Sequence, residues 1–116
     1  MFLKVYCSQN IVKGDVLHYN SSSSLWELAN GIDHPLGVAR TNAIVRNNGY
    51  SVEAVFSGSI LAKASREIPT QGGELQVENG AVFVDNNANG SGIICPQFID
   101  NTAPRVAGDL VQVVIR

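Results

Sequence analysis

The segment VDNNANGSG (residues 84–92) carries side-chain oxygens at alternate positions, which is how a calcium-binding EF-hand loop begins. Asp85, Asn87 and Asn89 supply these oxygens. An EF-hand also requires a glutamate at the twelfth loop position and a helix on each side, but the twelfth residue from Asp85 is Pro96 and the flanks favour strands. A polar turn is therefore predicted and no metal site, with a looser extracellular type of calcium turn as the alternative.

Two cysteines and two histidines could also support catalysis or metal binding. Cys7 and Cys95 match neither a CxxC motif nor a Cys/His zinc spacing, and free, buried thiols in a reducing cytosol are favoured over a disulfide. His18 falls in a predicted strand and His34 in the connection GIDHPLG, without a neighbouring motif such as G-x-S-x-G. We predict no catalytic residue, no cofactor and no enzyme; a small β-barrel hydrolase would need one histidine in a cleft beside a carboxylate.

Three aromatic residues could stack on a sugar ring: Trp26, Tyr19 and Tyr50. Trp26 alternates with Leu25 and Glu27, which places it on one face of a strand, and packing in the core is favoured. A small carbohydrate- or ligand-binding β-module that uses these rings is the alternative function. The preceding SSSS run is interpreted as a flexible turn or as a loop that becomes ordered against a neighbouring subunit.

The composition describes one domain with a weakly ionic surface. The chain has 116 residues, of which 45% are hydrophobic and 16% charged, and this length is sufficient to bury a core. The net charge is −2 and the lysines and arginines are scattered, so nucleic acid is not an expected partner. No stretch reaches the roughly 20 apolar residues of a membrane helix, and the opening MFLKVYC is too short for a signal peptide, so a membrane is not expected either.

Four Asn-Gly dipeptides, which begin at Asn30, Asn48, Asn79 and Asn89, predict hairpins because both residues tolerate the positive φ of two-residue turns. Short apolar runs lie around them: VLHY, LWELA, LGVAR, SVEAVF, ILAKA, LQVE, AVFV, GIICPQF and LVQVVI. Helical spacing is nowhere sustained, and a short helical turn near AKASRE is the one exception allowed. The sequence predicts an all-β fold, a small single-domain β-barrel or sandwich of short antiparallel strands.

The chain also contains a weak internal duplication. KGDVLHYNSSSSLWELANGIDHPLGVA and QGGELQVENGAVFVDNNANGSGIICP share an order of glycine, acidic residue, strand, polar turn, aromatic-bearing strand, second polar turn, and glycine before an apolar strand. A last strand follows in each, within GYSVEAVFSG or GDLVQVVIR. We predict one β domain over residues 1–116, with an N-terminal strand or arm at 1–10 and two related halves at 11–58 and 59–116. Residues 86–91 are expected to form a solvent-facing loop.

A consistent order of short motifs runs through residues 12–116. VKGDVL leads through a Ser- and Asn-rich turn into LWELA, then into HPLGVA and YSVEAVFSGSILAKA, and the second half from GGELQV to GDLVQVVIR repeats the theme. This order resembles the small capsid decoration, or cement, proteins of tailed bacteriophages. In that family an a-G-D-v-v strand leads to a p-i-G-v-A strand and then to a V-x-v-x-G-x-v strand.

The resemblance implies a non-enzymatic, all-β virion protein that is made in the host bacterial cytoplasm. It would bind the outer capsid surface as a homotrimer, contact the major capsid protein and stabilise the mature head. Some relatives have an N-terminal segment that is ordered only on the capsid, whereas MFLKVYC here favours a regular strand. An edge strand can extend a partner's sheet. The predicted capsid contacts are Phe2, Leu3, Lys4, Val5 and Tyr6.

Overall fold

A computed structural model describes residues 2–32, 35–47, 49–85, 92–96 and 105–116. These residues form strands and no helix, and so none that could cross a membrane. The strands are β1 (Phe2–Cys7), β2 (Val16–Asn20), β3 (Leu25–Leu28), β4 (Leu36–Ala39), β5 (Ile44–Arg46), β6 (Gly49–Val55), β7 (Gly58–Lys63), β8 (Gly73–Glu78), β9 (Ala81–Val84), β10 (Ile93–Cys95) and β11 (Leu110–Ile115). The predicted all-β fold is confirmed.

Each predicted apolar run contains a strand, but three local predictions need correction. β5 was not predicted, because its three residues are all exposed and lack a burial pattern. The helical turn near AKASRE is wrong: Lys63 ends β7, and the buried Ala64 forms a parallel bridge with Val82. This tertiary contact overrides the local helix propensity.

The third correction concerns the Asn-Gly dipeptides. Asn79-Gly80 is the predicted two-residue turn, with φ values of 48° and 79°, and joins the paired strands β8 and β9. Asn30-Gly31 is not a hairpin turn, because β3 and β4 are not neighbours in the sheet. Its backbone instead contacts the other sheet, where Gly31 N–H donates to Val77 O at 2.8 Å. The other two dipeptides include residues 48 and 89, which lie outside the described residues.

The first sheet closes on itself. Its order is β1-β3-β2-β4-β6-β5, and β1 also pairs with β6 along its whole length, from Phe2↔Val55 to Cys7↔Tyr50. The pair that completes the ring, Cys7↔Trp26, is parallel and joins β1 to β3 at one position. We call the ring of β1, β2, β3, β4 and β6 the first barrel; β5 extends it along β6. The structure thus contains a closed barrel, which decides the alternative between barrel and sandwich.

The second sheet, with the order β7-β11-β10-β8-β9, repeats this pairing pattern, and we call it the second barrel. β7 takes the place of β1, and the bridge Ala64↔Val82 takes the place of Cys7↔Trp26. The closing hydrogen bonds also correspond, since Ser8 N–H donates to Trp26 O at 3.2 Å and the serine that follows Ala64 donates to Val82 O at 2.8 Å. The domain boundaries predicted from the sequence are not tested by strand pairing and stay a prediction.

Corresponding positions line the interiors of the two barrels. The first-barrel core consists of Val5, Cys7, Ile11, Leu17, Ala39, Val52 and Ala54. Their counterparts in the second-barrel core are Ala62, Ala64, Ile68, Leu75, Cys95, Val111 and Val113. The second core also includes residues contributed by the first half of the chain: Val16, Ala29, Leu36 and Val38. The two barrels therefore share buried apolar surface and pack as one compact unit.

Backbone hydrogen bonds also join the barrels. Lys63 N–H donates to Gly14 O at 2.9 Å, on the tight turn that precedes β2. Val16 N–H donates to Gly80 O at 2.8 Å, and Gly80 N–H donates to Ala29 O at 2.8 Å. The junction is thus formed by polar backbone groups that satisfy one another at the border of an apolar core.

The turn that precedes β2 has a second copy before β11. Asp15 Oδ2 accepts the Val12 N–H at 2.9 Å, and Asp109 Oδ2 accepts the Val106 N–H at 3.0 Å. Asp15 is buried at the junction, where its Oδ1 lies 3.0 Å from Lys63 Nζ, whereas Asp109 is exposed. The same turn therefore occurs once inside the junction and once at the surface.

Replacing the two aspartates should separate the energetic contribution of the junction from that of the turn. We expect Asp15→Ala to lower the free energy of unfolding by about 2 to 3 kcal/mol, because charged hydrogen bonds are lost in a buried setting. Asp109→Ala should cost about 1 kcal/mol or less, since water replaces the lost partner. Urea denaturation followed by circular dichroism measures both. Equal losses would contradict a special role for Asp15.

Candidate functional site

The surface of β1 is apolar and aromatic. Phe2, Leu3 and Tyr6 are 44%, 55% and 59% exposed, and Lys4 is exposed beside them. Val5 is buried in the first-barrel core, so this predicted contact residue could meet a partner only through its backbone. Large apolar side chains grouped at a surface are a common feature of interaction sites. β1 holds them on a regular strand.

A charged cluster orders one end of this surface. The Arg40 guanidinium lies 3.8 Å from the centre of the Phe2 ring, and Arg40 Nε lies 3.0 Å from Glu53 Oε1. Lys4 is directly opposite Glu53 in the β1–β6 pairing. Cation–π and ionic contacts at exposed sites are individually weak, but they restrict the Phe2 ring and the charges to one arrangement.

One edge of β1 is mostly unpaired. β6 covers the other edge completely, whereas β3 pairs with β1 only at Cys7. Ser8 N–H points towards β3, where it donates to Trp26 O, and alternate residues of a strand point to the same edge. The N–H groups of Tyr6 and Lys4 therefore face this edge, where the β1–β3 pairing extends only to Cys7. Such an edge can accept a strand or turn from a partner.

A shallow pocket of 690 Å³ lies at the end of the first barrel, next to this edge. Tyr6, Leu25, Val45, Arg46 and Tyr50 contribute to its lining. Val45 belongs to the unpredicted β5 and is 75% exposed. The apolar surface of β1 therefore continues into the pocket, an extension that the short IVR run did not indicate.

The structure does not assemble the three aromatic residues of the ligand-binding hypothesis into one platform. Trp26 is half-buried, with its ring centre 5.6 Å from that of Tyr19 and 5.1 Å from that of Phe56. It packs against the first-barrel core, as the favoured interpretation predicts. Tyr50 lines the pocket, which neither Tyr19 nor Trp26 lines.

The structure places His18, one of the two histidines considered for catalysis, beside a carboxylate on the outside of a strand pair. His18 Nε2 lies 3.1 Å from Glu27 Oε1, and Asn20 Nδ2 lies 3.3 Å from the same oxygen. The His18 and Glu27 side chains are directly opposite in the β2–β3 pairing and about one third exposed, at 33% and 32%. This is a cross-strand polar pair. It does not line the barrel-end pocket, and His34 lies outside the described residues.

The oxygen-rich segment that follows β9 has strands on both sides. Asp85 N–H donates to Glu74 O at 3.0 Å, and β10 begins at Ile93. Among the described residues, no three His, Cys, Asp or Glu side chains are grouped as metal ligands would be. The predicted solvent-facing loop, residues 86–91, lies outside the described residues.

Cys7 and Cys95 are free and buried, each inside a different barrel, which confirms the prediction of free, buried thiols; the reducing cytosol stays a prediction. Burial disfavours the thiolate, and it raises the pKa of Cys7 to about 11 and also raises the pKa of Cys95. Because the thiolate is the nucleophilic form, neither side chain is prepared for covalent chemistry.

Native thiol reactivity tests this environment. We expect neither cysteine to react with DTNB at pH 8, and both to react after unfolding in guanidinium chloride. The pKa of Cys7 is higher in the folded state, so the stability linked to its protonated thiol is complete below the unfolded pKa of about 8.5. It is lost as the pH rises towards about 11. An exposed Gln71→Cys thiol serves as the positive control, and rapid native labelling of Cys7 would contradict its burial.

Comparisons with known proteins give a likeness of fold. No protein-family model matches the sequence, and no curated protein matches it. The structure is similar to that of the head fiber gp8.5 N base of bacteriophage phi29, with a TM-score of 0.71 and 14% sequence identity. The match covers 100% of this chain and 93% of that chain. The arrangement of strands is therefore shared over the whole chain.

Proposed function

We propose that this protein is a non-enzymatic structural component of a bacteriophage virion that binds the outer surface of the capsid. The observation that carries the proposal is the likeness of the entire chain to the base of a phage head fiber. The order of Gly- and Val-rich motifs, which resembles capsid decoration proteins, supports it independently. Fold alone does not define function, so the proposal also rests on the exposed apolar surface of β1.

The proposed capsid contact is β1, through the exposed side chains of Phe2, Leu3, Lys4 and Tyr6. The protein acts as a homotrimer, so three modest contacts bind together on a symmetric lattice and gain avidity. A partner that binds the mature shell and not the opened one raises the free energy needed to open it. The major capsid protein is the proposed partner, and synthesis in the host cytoplasm agrees with two free thiols.

The pairing of ionisable groups with one another supports the non-enzymatic part of the proposal. Ion pairs within the fold engage Lys63 with Asp15, Arg40 with Glu53 and Arg66 with Glu78. Both thiols are buried. Charged groups that satisfy one another suit a stable scaffold more than a reaction centre.

Co-sedimentation with phage heads tests the function. Wild-type protein should bind expanded heads saturably and procapsids much less. The double variant Phe2→Ala with Leu3→Ala should bind about tenfold more weakly or worse, because it loses apolar surface that is buried on binding. Val12→Ala with Leu61→Ala, two similarly exposed apolar residues elsewhere, should bind as wild type.

Absence of binding to either particle would overturn the capsid proposal. Equal loss in both double variants would overturn the assignment of the contact to β1. A change of Trp26 fluorescence on titration with glycans, together with no binding to heads, would favour the ligand-binding module instead.

A further inference from the structure

The open edge of β1 has a covered counterpart in the same chain. In the shared pairing pattern Cys7 corresponds to Ala64, and Tyr6 therefore corresponds to Lys63. The Lys63 N–H donates to Gly14 O, on the turn that precedes β2. In the second barrel, therefore, the edge that corresponds to the β1 edge is occupied by a tight turn, whose glycine carbonyl accepts a hydrogen bond from the strand.

The turn at residues 106–109 duplicates the docked turn at residues 12–15. Gly14 and Gly108 have φ values of 96° and 93°, and both sequences follow the pattern V-x-G-D. In each turn the Asp N–H donates to the Val O, at 3.1 Å and 3.0 Å. In each, a buried alanine accepts the glycine N–H and donates to the Asp O, at 2.9 Å in the first turn and 2.8 Å in the second. The two turns present the same backbone groups.

The turn at residues 106–109 is accessible, whereas the turn at residues 12–15 is packed against the second barrel. Val106 is 56% exposed, and the Gly108 carbonyl has no hydrogen-bond partner among the described residues. A Cβ added to Gly108 would meet nothing within 4 Å, whereas one added to Gly14 would lie 2.5 Å from Leu110 Cδ2. Among the described residues, the chain therefore carries a largely unpaired edge and an unoccupied copy of the turn that fits such an edge.

We infer that these two surfaces bind each other between copies of this chain. The 106–109 turn of one copy docks on the β1 edge of the next, where Tyr6 N–H donates to the Gly108 carbonyl. Asp109 then faces the Tyr6 hydroxyl and the Lys4 ammonium, much as Asp15 faces Lys63 within the chain. The contact is head to tail, and a ring forms when the rotation closes. The inference rests on the proposed homotrimer and supplies its interface.

Docking at the edge leaves the Phe2 and Leu3 part of the proposed capsid contact accessible, while Lys4 and Tyr6 face the neighbouring subunit. On β7, Leu61 is 38% exposed and the Lys63 side chain 35% exposed, although the edge of that strand is covered. A turn held in the plane of the sheet therefore leaves the outward side chains accessible. Phe2 and Leu3 would likewise stay available to the capsid while the edge of β1 binds a neighbouring subunit.

A proline substitution tests the edge directly. Tyr6→Pro removes the N–H on the open edge without removing a hydrogen bond to β6. Tyr6→Ala is the matched control, because it removes the same side chain and keeps the N–H. Light scattering should give a trimer mass for wild type, from a chain of 12.4 kDa. Tyr6→Ala should also reach a trimer mass, at a higher protein concentration, because it loses the Asp109 contact but keeps the N–H. Tyr6→Pro should give a monomer mass at every concentration. Equal oligomers of Tyr6→Pro and Tyr6→Ala would overturn the inference.

Disulfide trapping gives a second measurement that does not depend on the fold of the proline variant. Tyr6→Cys and Ala107→Cys are prepared separately, mixed and mildly oxidised. Covalent heterodimers should form in this mixture and not with Gln71→Cys, an exposed position in a different loop of the second barrel. Dimers of Tyr6→Cys alone, or no heterodimers, would overturn the inference.

The outcomes separate this inference from the proposed function. A wild-type chain that is trimeric but gives no heterodimer leaves the homotrimer intact and removes the interface assigned here. A monomeric wild-type chain removes the contact between copies, while binding to expanded heads still tests the capsid proposal by itself.

Discussion

The structure depends on how each ring of short strands is closed. In both barrels closure is made at a single parallel position, Cys7↔Trp26 in the first and Ala64↔Val82 in the second. Closure at one position completes the barrel but leaves most of the edge of β1 and β7 without a neighbouring strand among those that the structure describes. Unpaired edges attract other chains, so such an edge has to be covered, kept short or used.

The corresponding edges of β7 and β1 differ in what covers them. On β7 the edge is covered by the first barrel, through the Gly14 carbonyl and the Lys63–Asp15 ion pair. On β1 the described strands pair with this edge only at Cys7; the edge is bordered by Tyr6 and lies next to the barrel-end pocket. The two repeated units therefore differ in how corresponding strand edges are covered within the described part of the chain.

Much of the fold could be predicted from the sequence, because short strands bounded by Asn and Gly have a strong local pattern. The runs VLHY and LQVE, which are equivalent in the two barrels, both form strands as predicted. β5 could not be predicted, since its exposed residues 44–46 are held only by pairing with β6. The alignment of the two halves also omitted β1 and β7, because FLKVYC and GSILAK share a place in the ring and no motif.

The sequence predicted the segment that forms the candidate site, residues 2–6, but not the surface to which this segment belongs. The sequence by itself determined the strand composition, the absence of any recognised catalytic motif and the apolar character of residues 2–6, because these follow from residue type and local periodicity. Only the tertiary structure decided that Val5 faces the core, that Asp15 is buried and Asp109 exposed in the same V-x-G-D turn, and that β3 pairs with one edge of β1 only at Cys7. Burial and edge pairing depend on which segments meet in space, and identical local sequence patterns carry no information about that.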